Sequence, residues 1–240
     1  MYFGREVVGL TLDQAQQKAR AAEQAAQEVR DGMVVGLGSG STAALVVSSL
    51  GKRVRNGLHF VGVATSEATA RQAAALGIPL RTLDEEPCLD IDIDGADEVD
   101  PSGDMIKGLG GALLREKMVA ASARRLVIVV DESKEVAHLG QRTPVPVEVV
   151  RFAWRRTATA LRGLGAEPVV RGGEDKPFVT DGGGLILDCR FPAAADWVRL
   201  AQNIKATLGV VDHGLFLGMR PTVFVGCADG GVRVRSTTVD

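Results

Sequence analysis

Cysteine and histidine are scarce. Cys88, Cys189 and Cys227 lie far apart with no Cys-x-x-Cys pair, and His59, His138 and His213 are equally scattered. Neither a disulfide framework nor a thiolate zinc site fits that spacing, and no metal is expected. An excess of charge is also missing: 28 Lys and Arg against 30 Asp and Glu leave a net charge of -2. Such a balance excludes a global basic field, so nucleic acid and anionic membranes are not expected partners. Nowhere do 18 apolar residues run together, and the N-terminal stretch has no basic segment followed by an apolar one. These absences point to a reduced, soluble, cytoplasmic protein without a membrane span. Aromatic residues are only 4%, whereas the 29 glycines among 240 residues exceed the roughly 7% norm.

The chain is long enough for one large domain or two modest ones. Residues 12–30 form a helix-favouring mixture that stops at Asp31-Gly32. Next come an apolar strand at 33–37, a glycine-rich loop and a helical run at 43–50. The alternation continues with strand 60–63, helix 67–76, strands 78–80 and 89–93, helix 112–123 and strand 126–130. Short apolar strands alternating with helices predict an α/β fold, a Rossmann-like parallel sheet with helices on both faces and ligands at the carboxyl ends of its strands. After Pro144-Val145-Pro146 the order changes to strand 147–150, helix 153–164, strands 167–171, 178–180 and 185–189, helix 194–208 and strand 210–217. Apart from the short strand at 178–180, this β-α-β-β-α-β order predicts a smaller ferredoxin-like α+β domain over 145–217. Residues 1–144 and 218–240 would then form the larger domain, with strands at 222–225 and 232–234 returning to it.

Three segments carry chemistry. Gly36-Leu37-Gly38-Ser39-Gly40-Ser41-Thr42-Ala43 lies between a strand and a helix, where curled backbone amides and the helix N-terminus favour a phosphate. A P-loop would need Lys where Gly40 stands, and a dinucleotide fingerprint would need Gly in place of Ser41. The hydroxyls of Ser39, Ser41 and Thr42 suit a phosphate monoester instead. The second segment, 84–104, holds ten acids in 21 residues without one Lys or Arg. Asp92 and Asp94 alternate on one strand face, and Asp94 and Asp97 flank a Gly-Ala turn. Crowded carboxylates raise one another's pKa and suit proton handling. A divalent cation there would not have the EF-hand spacing. In the third segment, Lys107 precedes the glycine-rich turn 108–111, and Glu116 falls in the first turns of the following helix. A carboxylate base beside an ammonium can take a proton from carbon next to a carbonyl. Lys134 follows another strand and could reach the same pocket.

The loop GLGSGSTA, the segments DIDGADEVD and KGLGGALLREK, and the later DESK resemble the type A ribose-5-phosphate isomerases in order and spacing across essentially the whole chain. The resemblance implies interconversion of ribose 5-phosphate and ribulose 5-phosphate through an enediolate, in the non-oxidative pentose phosphate pathway, without a cofactor. It makes Glu116 the base. Substrate contacts fall on Ser39, Gly40, Ser41 and Thr42, on Asp94, Gly95, Ala96 and Asp97, on Lys107, Gly108, Leu109 and Gly110, and on Lys134. Lys18, counted back from the loop, aligns with a lysine near the phosphate. Ser39 stands where many members have Thr, and Leu109 where Gly or a basic residue is frequent; the Leu109 N–H would remain available to substrate. In the mechanism so implied, Asp94 moves ring and hydroxyl protons, Lys107 stabilises the enediolate, and Asp97 orients a hydroxyl or shares the acid role. The expected partner is the sugar phosphate, in a homodimer or homotetramer joined through the small domain's apolar strands. Two other readings stand beside this one. A CoA transferase would use Glu67 as nucleophile but would show nothing like DGADE with KGxGxA. A sugar-phosphate sensor would need a basic helix-turn-helix, for which the N-terminal helix leaves no room.

Overall fold

The computed structural model describes residues 11–192 and 196–236. The chain runs α1 (Gln14–Ala26), β1 (Val34–Leu37), α2 (Gly40–Arg55), β2 (Val61–Ala64), α3 (Glu67–Ala75), β3 (Ile91–Gly95), β4 (Glu98–Val99), β5 (Met105–Ile106), α4 (Leu113–Ser122) and β6 (Leu126–Asp131). After a 3-10 turn at Glu132–Lys134 follow β7 (Val145–Val149), α5 (Trp154–Arg162), β8 (Glu167–Val170), β9 (Leu185–Arg190), α6 (Trp197–Ala206), β10 (Val210–His213), β11 (Leu215–Phe216), β12 (Thr222–Gly226) and β13 (Val232–Ser236). Among the described residues no helix is long and apolar enough to cross a membrane.

A six-stranded sheet in the order β13-β12-β6-β3-β1-β2 is parallel except for β13, which pairs antiparallel with β12. Its strands are short and apolar on both faces because helices cover both: β6 is buried at every position. Ala21, Ala22, Ala25 and Ala26 let α1 lie close over the sheet beside Val127, Val129 and Phe224. On the other face Ile128, Val130, Val223 and Val225 pack with Ala120 of α4 and with Phe216. Each large aliphatic side chain so buried contributes about 1.5–3 kcal/mol. The chain runs from β1 to β2 on one side and later to β3 on the other, so the switch point of the sheet lies between β1 and β3.

A second sheet, β10-β7-β9-β8, is wholly antiparallel and shares an apolar cluster with residues of α5 and α6. A third, β11-β5-β4, lies where the chain crosses between them.

Several boundaries differ from the sequence expectation. A capping box between Asp13 and Gln16 starts α1. The helix ends at Ala26 because the amides of Gln27 and Glu28 turn to carbonyls three residues back. Residues 78–80 form one bridge, Gly62 with Leu80, because Pro79 has no N–H to extend a ladder. Residues 178–180 likewise reduce to a bridge of Val179 with Leu185 beside the tight turn at Thr180 to Gly184. The expected helix start at Ala194 lies outside the described residues, and α6 begins at Trp197. The single strand expected over 210–217 breaks at Gly214 into β10 and β11, which belong to different sheets. Gly214 has no room for a Cβ because the carbonyl of Lys107 presses against it, and its own carbonyl accepts the Lys107 N–H at 2.9 Å. The crossover therefore grips the backbone of a candidate catalytic residue.

Candidate active site

One cleft opens at the carboxyl ends of β1 and β3, at the switch point. It is lined by Lys18, Ser39, Gly40, Ser41, Thr42, Gly95, Ala96, Asp97, Lys107, Gly108, Gly110, Glu116 and Lys134. Every residue that the resemblance assigns to the site lines it except Asp94, which is fully buried, and Leu109, which is exposed.

At one end the loop after β1 delivers α2. Gly40 holds a φ of +87° as the helix begins. Ser39, at the N-cap, makes no side-chain cap bond; its hydroxyl lies 2.6 Å from that of Thr65. The first-turn amides of α2 are thus left to the cleft, where the helix dipole adds partial positive charge. Lys18 lies in the same region beside Ser41, and Lys134 lines the cleft where its charge reaches Asp97. Lys18 is steered by Asp131, whose Oδ2 lies 3.4 Å from its Nζ and which is fully buried.

At the other end stands a buried ionic cluster. Asp94 Oδ1 accepts the N–H groups of Ser39 at 3.0 Å and Gly95 at 2.7 Å, and its Oδ2 accepts the Lys107 ammonium at 2.8 Å. Gly38 must be glycine because Asp94 fills the space a Cβ would need. With no exposed surface and both oxygens engaged, Asp94 is set to hold Lys107 in place and is poorly placed to exchange protons with a ligand. Lys107 Nζ also donates to the Gly95 carbonyl at 2.6 Å and lies 3.4 Å from Glu116 Oε2. Burial works to strip Lys107 of its proton, but the carboxylates of Asp94 and Glu116 outweigh it and raise its pKa above the ordinary lysine value.

Glu116 lies in the first turn of α4, and its Oε2 has no hydrogen-bond partner. Burial pushes its carboxyl up, the Lys107 charge pulls it down and Asp94 pushes it up again, leaving a pKa of about 7. Asp97 is also raised, chiefly by burial, against a hydrogen bond of 2.9 Å from the Leu109 amide. That bond corrects the expectation that the Leu109 N–H would be free for a substrate. Asp92 shares the strand face of Asp94 one layer deeper. Gly36 makes space for it, since a Cβ there would stand 2.5 Å from Asp92 Oδ1. Burial, followed by the charge of Asp94, pushes its carboxyl well up. Both its oxygens lack hydrogen-bond partners.

Sequence reasoning missed Thr65, Asp131 and Phe216, whose ring centroid lies 5.4 Å from the Lys107 ammonium. Asp131 opens the DESK segment and carried a signal in its position before Lys134; the others reach the site through the fold alone. Glu67, the alternative nucleophile, stands outside the cleft and pairs with Arg115 at 3.0 Å on the surface.

Residues 61–230 match the family model described as Ribose 5-phosphate isomerase A (phosphoriboisomerase A). The chain belongs to the ribose 5-phosphate isomerase A family. Among its relatives, the ribose-5-phosphate isomerase A of Synechococcus sp. (strain JA-3-3Ab) is 54% identical over 216 residues, 89% of this chain and 94% of that protein. That of Thermomicrobium roseum is also 54% identical, covering 92% of this chain and 95% of its own. Two solved family structures superpose closely. A D-ribose-5-phosphate isomerase in complex with phospho-erythronic acid gives a TM-score of 0.90 at 35% identity, covering 94% of this chain and 100% of that one. The Methanocaldococcus jannaschii ribose 5-phosphate isomerase A gives 0.86 at 41%, with 92% and 98% covered. Membership of the isomerase A family sets aside the CoA transferase and sensor readings.

Proposed function

We propose that the cleft interconverts D-ribose 5-phosphate and D-ribulose 5-phosphate, with Glu116 as the base that carries a proton between carbons 2 and 1. One observation carries this reading: a buried carboxyl with a pKa of about 7 lies 3.4 Å from a buried ammonium. A base poised near neutrality beside a fixed cation is what proton abstraction next to a carbonyl requires. The phosphate sits at the α2 N-terminus with Lys18 and Lys134, which leaves the sugar to extend toward Lys107 and Glu116. The ligand named for the solved relative, phospho-erythronic acid, is a sugar-acid phosphate of the same general kind.

The furanose opens as a proton leaves the carbon-1 hydroxyl, the bond from carbon 1 to the ring oxygen breaks and that oxygen gains a proton. Glu116 then removes the carbon-2 proton. Electrons form the carbon–carbon double bond, and Lys107 with the amides of the 108–110 loop stabilises the enediolate oxygens. A proton passes from oxygen 2 to oxygen 1, and Glu116 returns its proton to carbon 1 to complete the ketose. Asp97, which lines the cleft and has a raised pKa, handles the oxygen protons, while Asp94 anchors Lys107. Lys107 supplies the cation at the reacting oxygens, so no metal or organic cofactor is invoked and chelator should leave the rate unchanged. Exposed Phe152, Val169 and Leu208 around the second sheet support self-association as a homodimer or homotetramer.

Glu116→Gln tests the assignment. Turnover of ribose 5-phosphate in a coupled assay should fall by roughly 100- to 10,000-fold, the contribution of a positioned base, while calorimetry still detects sugar-phosphate binding. Turnover close to wild type would remove Glu116 from that role.

A further inference from the structure

Arg171 directly follows β8 in the second sheet, outside every motif that marks the cleft. Its N–H donates to the Ile186 carbonyl at 2.9 Å and its carbonyl accepts the Phe178 N–H at 2.7 Å, so its backbone is fixed. On Asp188 of β9 its Nε is held at 3.0 Å, with Nη2 on the other carboxylate oxygen. This paired geometry leaves Nη1 aimed away from Asp188. Nη1 donates to the carbonyls of Gly108 at 2.9 Å and Leu109 at 2.8 Å, inside the loop that follows Lys107. Phe178, 5.9 Å from the guanidinium, covers Gly111 so closely that no Cβ fits there.

In a trans peptide the C=O and N–H of one plane point in opposite directions. Arg171 holds the carbonyl of the 108–109 peptide, and the amide of that same peptide, Leu109 N–H, is donated to Asp97 Oδ2 at 2.9 Å. It also holds the carbonyl of the 109–110 peptide, whose amide on Gly110 therefore points the opposite way, toward the cleft that Gly110 lines. We propose that Arg171, clamped to Asp188, is a positioning residue that orients these two peptides, so that one amide holds Asp97 and the next faces the reacting oxygens. The proposal rests on the cleft being the isomerase site. The second sheet thereby reaches into the chemistry without touching substrate. Lysine cannot replace the fork: it offers a point charge where one guanidinium must satisfy a carboxylate and two carbonyls at fixed angles.

The test compares wild type with Arg171→Ala and Arg171→Lys, measuring ribose 5-phosphate turnover across pH with and without millimolar guanidinium. Both variants should lose about 10- to 100-fold in kcat, less than the roughly 100- to 1,000-fold of an oxyanion donor removed outright because the amide is only misaligned, with KM within about threefold. Without the Leu109 amide Asp97 ionises less readily and pushes Glu116 up less, so the Glu116 limb of the profile should move to lower pH. Guanidinium should restore part of the Arg171→Ala rate. Folded variants with wild-type kcat and pH profile would overturn the proposal, as would a rate loss that guanidinium leaves untouched. Failure of both variants to fold would assign Arg171 to folding and overturn it too. A wild-type chain that does not turn over ribose 5-phosphate would instead sink the site reading, whatever the variants do.

Discussion

Glu116 is set by burial and by two charged residues, Lys107 and Asp94. Burial alone would carry its carboxyl far up, and the Lys107 ammonium at 3.4 Å brings it back to about 7. Asp94 claims Lys107 more closely, at 2.8 Å, so Glu116 has only partial use of that charge. A base must be ionised to act, so kcat/KM should rise with pH through a limb centred near 7. A limb near 4 would mean a carboxyl in contact with water. Lys107→Met removes the charge that favours ionised Glu116. The limb should shift to higher pH, and the plateau above it should fall about 100- to 1,000-fold because the enediolate oxygen also loses its donor. A rate profile at pH 5–10 for both proteins checks the two effects separately. The residues of this cluster were legible in the sequence because DGADE and KGxGxA place them at short spacing. The division of labour proposed for Asp94 and Asp97 was not. It depends on Gly38 pressing against Asp94 and on the Leu109 amide turning to Asp97, and no spacing rule contains either contact.

Helix α4 presents neighbouring residues to different partners. Glu116 faces the cleft, while Lys117, about 100° further round, donates to Asp212 Oδ1 at 2.7 Å on β10 and lies over the Phe216 ring at 4.9 Å. Lys205 of α6 holds the other oxygen of Asp212 at 2.9 Å. Burial pushes the Asp212 carboxyl up, but hydrogen bonding and charge from Lys117 outweigh it and hold the pKa at about 2. Burial simultaneously lowers Lys117, so the pair contributes less than the Asp212 shift alone suggests. Because the folded pKa lies below the unfolded value, this stabilisation is present above about pH 4 and fades as pH falls toward 2. Asp212→Asn should cost about 1–3 kcal/mol in urea unfolding at pH 7, and the gap from wild type should close near pH 2. An equal gap at both pH values would show a packing defect and no charge effect. Periodicity made the helices and the β-α-β-β-α-β order readable. It could not show that one apolar run, 210–217, splits at Gly214 to serve two sheets, because its cause is the distant Lys107 backbone.

On the scale of the whole molecule, the chain leaves the central sheet after β6, builds the second sheet and returns as β12 alongside β6. That return pairs Gly226 with Asp131 in register, and α1 lies across the same strand ends. Gly226 sits directly beneath the backbone of Gln17, where a Cβ would strike the Gln17 carbonyl. The next residue, Lys18, reaches Asp131 and the α2 end of the cleft, where the phosphate is proposed to sit. Lys18 had no distinctive motif around it because its position is set by a glycine more than 200 residues away. Gly226→Ala is therefore a substitution outside the cleft that should act on the substrate. The obstacle is backbone, so α1 must lift, at a cost of about 1–3 kcal/mol as for other overpacked sites. Lys18 moves with it and loses its guide on Asp131. KM for ribose 5-phosphate should rise about tenfold, equivalent to one weakened charge-assisted contact, while kcat at saturation stays within about twofold because Glu116 and Lys107 sit on other elements. An unchanged KM in a folded Gly226→Ala protein would mean that Lys18 reaches the phosphate independently of how α1 seats on β12.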